Sequence, residues 1–230
     1  MLSIKDLEQY SATYSIERLQ SFVYKENDSI EDVLEHYINN VKISQSLYSA
    51  LCTLEVLLRN AIDIVFRTYL SETWLEDELK NRNILDENDY NILFNTYELT
   101  VKECKSASKQ YSHGRLVANL NFGFWTNLCA KKYSIKIWNK MYCFKGVFAN
   151  YPNTKPEIAV ISKKLYLVRR LRNRIFHYEQ IFRYPEKTLH LYNIILELIS
   201  YLPDDKIKVV EKTSTFLSVY NSLVTTNYIH

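Results

Sequence analysis

Leu47-Tyr48-Ser49-Ala50-Leu51-Cys52-Thr53-Leu54-Glu55-Val56-Leu57-Leu58-Arg59-Asn60-Ala61-Ile62-Asp63-Ile64-Val65 decides the fold class. Leu47, Leu51, Leu54, Leu58, Ala61, Ile62 and Val65 recur at i, i+3, i+4 spacing, which lines them up on one side of an α-helix. Glu55, Arg59 and Asp63 form a second row beside that stripe, at i, i+4, i+8. Neighbours at this spacing can pair. The row therefore reads either as a solvated ion ladder or as a brace for a site at a groove.

The helical pattern extends outward from this segment, from about Ile30 to Leu70, as one helix or as two with a bend near Asn39-Asn40. Upstream, residues 3 to 26 read as one or two short helices. Asn27-Asp28-Ser29 is a break, and Asp28 with Glu31 has capping-box spacing. Downstream, 71 to 87 reads as a connection or short helix. Asp86 to Ser108 reads as a helix anchored by Ile92, Leu93, Leu99 and Val101. Lys102 to His113 reads as a frayed end or loop, and 125 to 144 continues helically. Gly123, between large aromatics in Phe122-Gly123-Phe124-Trp125, predicts a backbone packed closely on another helix. Lys145 to Pro156 is the clearest loop and the candidate internal boundary. Thr154-Lys155-Pro156 caps a helix running to about Glu179. Further helices are expected from Tyr184-Pro185 to Leu202, from Pro203-Asp204-Asp205, and over 214 to 224.

Composition agrees. Only 3 Gly and 4 Pro in 230 residues leave few turn residues for hairpins, so sheets are disfavoured. The 19 Tyr, 10 Phe and 3 Trp read chiefly as helix–helix packing, with base stacking as the minority use. With 29 basic and 26 acidic residues the net charge is +3, so charge neither demands nor excludes a nucleic-acid partner. Cys52, Cys104, Cys129 and Cys143 lack zinc-like spacing and read as buried free thiols of a reducing compartment. The N-terminus lacks a signal-type apolar run, and no apolar stretch reaches the roughly 18 residues of a membrane span. A cytoplasmic protein is expected.

Arg172-Asn173-Arg174-Ile175-Phe176-His177 is the candidate site. At about 100° per residue, Ile161, Leu165, Val168, Ile175 and Phe176 share one narrow arc, with Arg172 in its middle. A guanidinium there needs a partner, a wet cleft or an interface. Glu55 is a candidate partner, and a phosphate is another. Arg169, Asn173 and His177 form a polar stripe on a different side. His177 lies about 140° from Arg172 on a regular helix. Helix distortion or a second subunit would have to bring the two groups together. Taken alone, His177 reads as an ordinary surface or capping histidine.

Leu171-Arg172-Asn173-Arg174-Ile175-Phe176-His177-Tyr178-Glu179 resembles the signature of HEPN-type ribonucleases. More narrowly, it resembles Abi-like (abortive infection) bacterial proteins, with their Arg-Asn-Arg followed by His-His-Glu-Pro. Leu54 to Ile62, Phe122-Gly123-Phe124-Trp125 and Ser15-Ile16-Glu17-Arg18-Leu19 resemble the same family in the same order. Tyr178 stands where the family often has a second His, and Gln180 where it often has Pro. The resemblance implies an all-α, HEPN-type helical bundle over residues 1–230, with additional N-terminal and middle helices. It also implies a homodimer whose motifs meet in a cleft.

The implied activity is that of a metal-independent endoribonuclease of phage-defence or toxin type. It would need no cofactor and would leave a 2′,3′-cyclic phosphate. Arg172, Asn173 and His177 would be catalytic. Glu55, Arg59, Arg169, Arg174 and Tyr178 would support the site or contact RNA. An antitoxin or regulatory RNA is an implied partner. The alternatives are a non-catalytic HEPN-type module that binds RNA or protein, and a structural protein in which Arg172 only pairs with Glu55.

Overall fold

The computed structural model describes residues 15–139, 143–153, 156–203 and 207–227. Among them are twelve α-helices and no strand, so the chain is all-α as composition requires. In order these are α1 (Ile16–Gln20), α2 (Ile30–Ser46), α3 (Tyr48–Tyr69), α4 (Trp74–Asn81), α5 (Glu87–Ser106), α6 (His113–Asn119), α7 (Phe122–Leu128), α8 (Phe144–Val147), α9 (Ile158–Phe176), α10 (Pro185–Tyr201), α11 (Ile207–Thr213) and α12 (Phe216–Asn227). Residues 3 to 14 of the expected one or two short helices over 3 to 26, the Thr154-Lys155 cap and the Asp204-Asp205 start lie outside the described residues.

The chain forms two compact units. The first comprises residues 1–52, 170–196 and 208–230; the second comprises 53–169 and 197–207. Of the expected 145–156 loop, residues 145–147 are helical in α8, and the segment lies in the second unit. The divisions fall within helices α3, α9, α10 and α11 instead.

In the first unit, α1 and α12 pack on α2. Leu19, Phe22 and Val33 are fully buried together, and Phe22 meets Tyr37 edge-on at 5.3 Å. Tyr192 stacks on Phe216 at 4.1 Å, and Phe216 on Tyr220 at 5.7 Å. Each such pair adds about 0.5–1.5 kcal/mol beyond its buried area.

Helix α2 begins one residue later than its spacing suggested. Ser29 is the N-cap and forms a reciprocal capping box with Asp32. Asp28 instead accepts from the backbone N–H groups of Tyr24 (2.6 Å) and Lys25 (2.9 Å), closing the preceding turn. The helical run is broken at Leu47, not bent at Asn39-Asn40, and both asparagines lie buried inside α2.

The second unit is built on aromatics. Trp74, Trp125 and Trp138 are fully buried, with Phe66 4.7 Å from Trp74 and 5.3 Å from Trp138. Trp138 meets Phe144 at 4.9 Å, and Phe144 meets Phe148 at the same distance. The part of the apolar stripe in this unit, Leu54 to Val65, is buried, each large aliphatic contributing about 1.5–3 kcal/mol of transfer free energy.

Helix α5 presents Tyr90, Leu93, Thr100 and Cys104 to the core. Leu99, expected as an anchor, is 59% exposed. The segment after α7 is not one helix. A 3₁₀ turn (Lys131–Tyr133) passes into a π-helical turn (Ser134–Trp138). There buried Asp89 takes hydrogen bonds from Tyr133 Oη (2.7 Å), Lys132 Nζ (2.5 Å) and Asn127 Nδ2 (2.8 Å), tying this segment to the start of α5. Gly123 sits where an added Cβ would lie 3.0 Å from Asn121 Oδ1, pressing on the cap, and in ordinary contact with Arg169 Cδ of α9 at 3.9 Å.

Among the cysteines, Cys104, Cys129 and Cys143 are buried free thiols, and burial pushes the Cys143 thiol up to about 11. Cys52 is exposed, contrary to expectation, because it falls on the opposite side of α3 from the stripe. No helix among the described residues is long and apolar enough to cross a membrane.

Candidate functional site

Helix α9 ends at the candidate motif, and the way it ends determines what the motif offers. The buried side of α9 runs through Ile161, Leu165, Val168 and Leu171. Ile175 is half-buried and Phe176 is 51% exposed. Arg172 therefore lies beyond the buried stripe rather than in its middle. The helix belongs to the second unit up to Arg169 and to the first from Arg170. A single helical wheel thus averages over two different sets of neighbours. Arg172 is half-buried, with its guanidinium carbon 4.2 Å from the centre of the Phe176 ring one turn on. That is a cation–π contact. Its Nε is buried without a hydrogen-bond partner among the described residues.

The end of the helix is a Schellman turn. The N–H of Tyr178 donates to the Ile175 carbonyl (3.0 Å), and that of Glu179 to the Arg174 carbonyl (2.8 Å). Such a turn needs a left-handed residue, usually glycine. Here it is Tyr178, at φ 55°. Neighbouring side chains hold the strained turn. Arg18 Nη1 donates to the carbonyls of His177 (3.2 Å) and Tyr178 (2.5 Å). Asn40 donates through Nδ2 to the Glu179 carbonyl (3.2 Å) and accepts the Ile181 N–H at Oδ1 (2.7 Å). Arg174 donates to the Gln180 carbonyl and pairs with the Glu179 carboxylate at 3.3 Å. The buried Thr188 hydroxyl donates to the Ile181 carbonyl (2.5 Å).

This fixed backbone carries exposed side chains. His177 is exposed, and its imidazole has no hydrogen bond to any described residue; the exposed Asn173 carboxamide likewise has none. The two residues are joined only through the backbone, where the His177 N–H donates to the Asn173 carbonyl (2.9 Å). Arg169, the third member of the polar stripe, is engaged elsewhere, donating from Nη1 to Asn127 Oδ1 at 2.5 Å. Arg172, Asn173, Arg174, His177 and Tyr178 all stand at the end of α9 in the first unit. Glu55, Arg59 and Arg169 belong to the second.

In the second unit, the Glu55–Arg59–Asp63 row is no ion ladder. Arg59 donates to the Ala118 carbonyl (3.2 Å), while its Nε is buried without a partner among the described residues. Asp63 Oδ1 accepts from Trp74 Nε1 (2.9 Å) and His113 Nε2 (2.8 Å). The other nitrogen of His113 meets Glu76 Oε2 at 2.8 Å, and Glu76 Oε1 accepts from Tyr111 Oη at 2.5 Å. With a carboxylate on each ring nitrogen, His113 is held as an imidazolium. Its hydrogen bonds to Asp63 and Glu76 raise it to about 9 against the opposing effect of burial. Burial acts to raise the Glu76 carboxyl, but the bonds from His113 and Tyr111 outweigh it and hold the group below its ordinary range. Both imidazole nitrogens are committed, so this histidine is a half-buried structural cation and is unsuited to shuttling a proton.

Sequence reasoning passed over Arg18 and Asn40 as individual residues, though both shape the site. One signal was present for Asn40: a carboxamide inside the helical pattern, three residues before buried Ile43. Neither the Asp63–His113–Glu76 cluster nor its pairing had a local signature. Its members are 50 and 37 residues apart along the chain.

Among the described residues, no group of three or more His, Cys, Asp or Glu side chains is placed to hold a metal ion. No protein family, no curated protein and no solved structure matches the chain.

Proposed function

We propose that the chain is a metal-independent endoribonuclease of HEPN type, cutting RNA with Arg172, Asn173 and His177. One observation carries this reading: His177 is exposed and unengaged on a backbone that Arg18, Asn40 and Arg174 immobilise. A histidine needed only as a cap would spend its ring on the helix end. Here that role falls to Arg18, which leaves the imidazole for solvent or substrate.

RNA supplies its own nucleophile. The 2′-oxygen attacks the adjacent phosphorus, the bond to the 5′-oxygen breaks, and a 2′,3′-cyclic phosphate remains. His177 moves a proton, either from the 2′-hydroxyl or to the departing 5′-oxygen, a task suited to an imidazole near neutral pH. Arg172 places a guanidinium near the phosphate and offsets the charge that builds on the phosphorane. Asn173 binds a phosphate oxygen or orients the imidazole. Arg174 and Tyr178, in the same unit, support the site or contact RNA.

The same reading takes the all-α chain as an HEPN-type bundle that works as a cytoplasmic homodimer. Its role would be in phage defence or as a toxin restrained by an antitoxin or regulatory RNA. The test is to incubate the purified protein and its His177→Ala form with total RNA and to sequence the ends. Cleavage by the first alone, leaving cyclic phosphates, is expected. Equal cleavage by both removes His177 from the chemistry. Binding without cleavage by either turns the chain into a non-catalytic RNA-binding module.

A further inference from the structure

Beside the motif, the first unit contains a pocket of about 250 Å³, walled by α2, the start of α3 and the end of α9. Tyr37, Tyr48, Leu51, Ile175, Phe176 and Tyr178 form most of its lining, and no lining residue carries a charge. Several of these large side chains are turned outward: Tyr48 is 64% exposed, Phe176 51% and Tyr178 66%. Two guanidinium groups rest on the same residues. Arg172 covers the Phe176 ring at 4.2 Å, and Arg18 is bonded to the Tyr178 carbonyl at 2.5 Å. Neither arginine forms an ion pair among the described residues.

An uncharged aromatic pocket with the Arg172 guanidinium over one of its rings matches the two halves of a nucleotide. A base is flat and apolar on its faces, and aromatic rings hold it by stacking. The phosphate attached to it is anionic and suits a guanidinium. An apolar protein segment would satisfy the rings but would leave the Arg172 guanidinium unused. A duplex would satisfy the Arg172 guanidinium but hides its base faces in the stack.

We propose that this pocket takes one unstacked nucleobase of single-stranded RNA, with the neighbouring phosphate directed to Arg172. The inference rests on the ribonuclease reading and names its substrate as single-stranded RNA, gripped by a base next to the scissile phosphate. Tyr48 and Phe176 are the stacking residues, and the Tyr178 ring closes the side nearest His177.

The test uses the full chain carrying His177→Ala, so that binding is measured without cleavage. Fluorescence anisotropy compares a short single-stranded RNA, an abasic RNA of the same length and a blunt RNA duplex. The single strand should bind about ten-fold or more tighter than either control, as expected for one stacked base. Adding Tyr48→Ala should remove most of that advantage and leave abasic binding unchanged. Because Tyr48 is mostly exposed, the helical circular-dichroism spectrum should be retained. Equal binding of abasic and intact RNA, or no effect of Tyr48→Ala, overturns the proposal, as does the absence of RNA binding. A change in oligomeric state on Tyr48→Ala would assign the pocket to a protein neighbour and would also overturn it. Cleavage by the wild type is scored separately. Base-independent binding with His177-dependent cleavage removes only the pocket, and base-dependent binding without cleavage removes only the ribonuclease.

Discussion

Arg18 and His177 are 159 residues apart in the chain, yet Arg18 Nη1 donates to the His177 carbonyl at 3.2 Å and to the next carbonyl, that of Tyr178, at 2.5 Å. A cation at a helix C-terminus satisfies orphan carbonyls and opposes the negative end of the helix dipole. The bonds reach the backbone of the candidate histidine and leave its ring free.

Replacing Arg18 with alanine should therefore weaken the site from behind. A loss of about 1–2 kcal/mol is expected in urea unfolding, from hydrogen bonds with a charged donor at a partly exposed position. RNA cleavage should fall more than stability explains, because the His177 backbone is no longer held. Arg18→Lys should recover part of the stability but less of the activity, since an ammonium on a flexible stem can reach the two carbonyls but holds the turn less firmly.

Asn40 is 2% exposed and uses both ends of its carboxamide on the loop that follows His177. Asn40→Ala strands the Glu179 carbonyl and the Ile181 N–H. A cost of about 2–3 kcal/mol follows from two groups left without partners. Asn40→Asp keeps the acceptor for Ile181 but turns an oxygen toward the Glu179 carbonyl, so it should be no better than alanine at neutral pH. Chemical denaturation of the three proteins checks the order.

Tyr178 pays about 1–2 kcal/mol for its left-handed backbone, which glycine would not. Tyr178→Gly should thus raise the melting temperature modestly, offset in part by the added freedom of the unfolded chain. If the Tyr178 ring closes the base pocket, the same change should weaken single-stranded RNA binding. A variant that is more stable and binds less would separate the turn from the ring.

His113 links stability to pH. Its folded value is raised to about 9 from an ordinary 6.5, with Asp63 and Glu76 as the carboxylate partners and Tyr111 behind Glu76. A raised value means that the folded chain holds a proton that the unfolded chain releases. The contribution is complete below about pH 6.5, declines as pH rises, and is gone above about 9. Urea midpoints measured between pH 6 and 10 should fall across this window. His113→Gln should be less stable at pH 6 and should flatten the curve.

The sequence by itself determined that this chain is helical, and it located the α3 stripe. Apolar spacing is local, and every residue of the Leu47–Val65 stripe is buried where the period places it. It also singled out Arg172 to His177 as unusual for a helix that must pack. Tertiary structure alone decided what those residues present. The wheel put Arg172 among buried aliphatics, but α9 passes from one unit to another near Arg169, so its last two turns have different neighbours. The wheel likewise made Arg169, Asn173 and His177 one stripe, whereas Asn127 takes Arg169 out of it. Glu55, Arg59 and Asp63 have the spacing of a ladder, but Asp63 is drawn to His113 and Trp74 and Arg59 to a carbonyl. Periodicity reports which side of a helix a residue occupies. It carries no information about which distant donor or acceptor waits there, because that partner is set by packing between segments far apart in the chain.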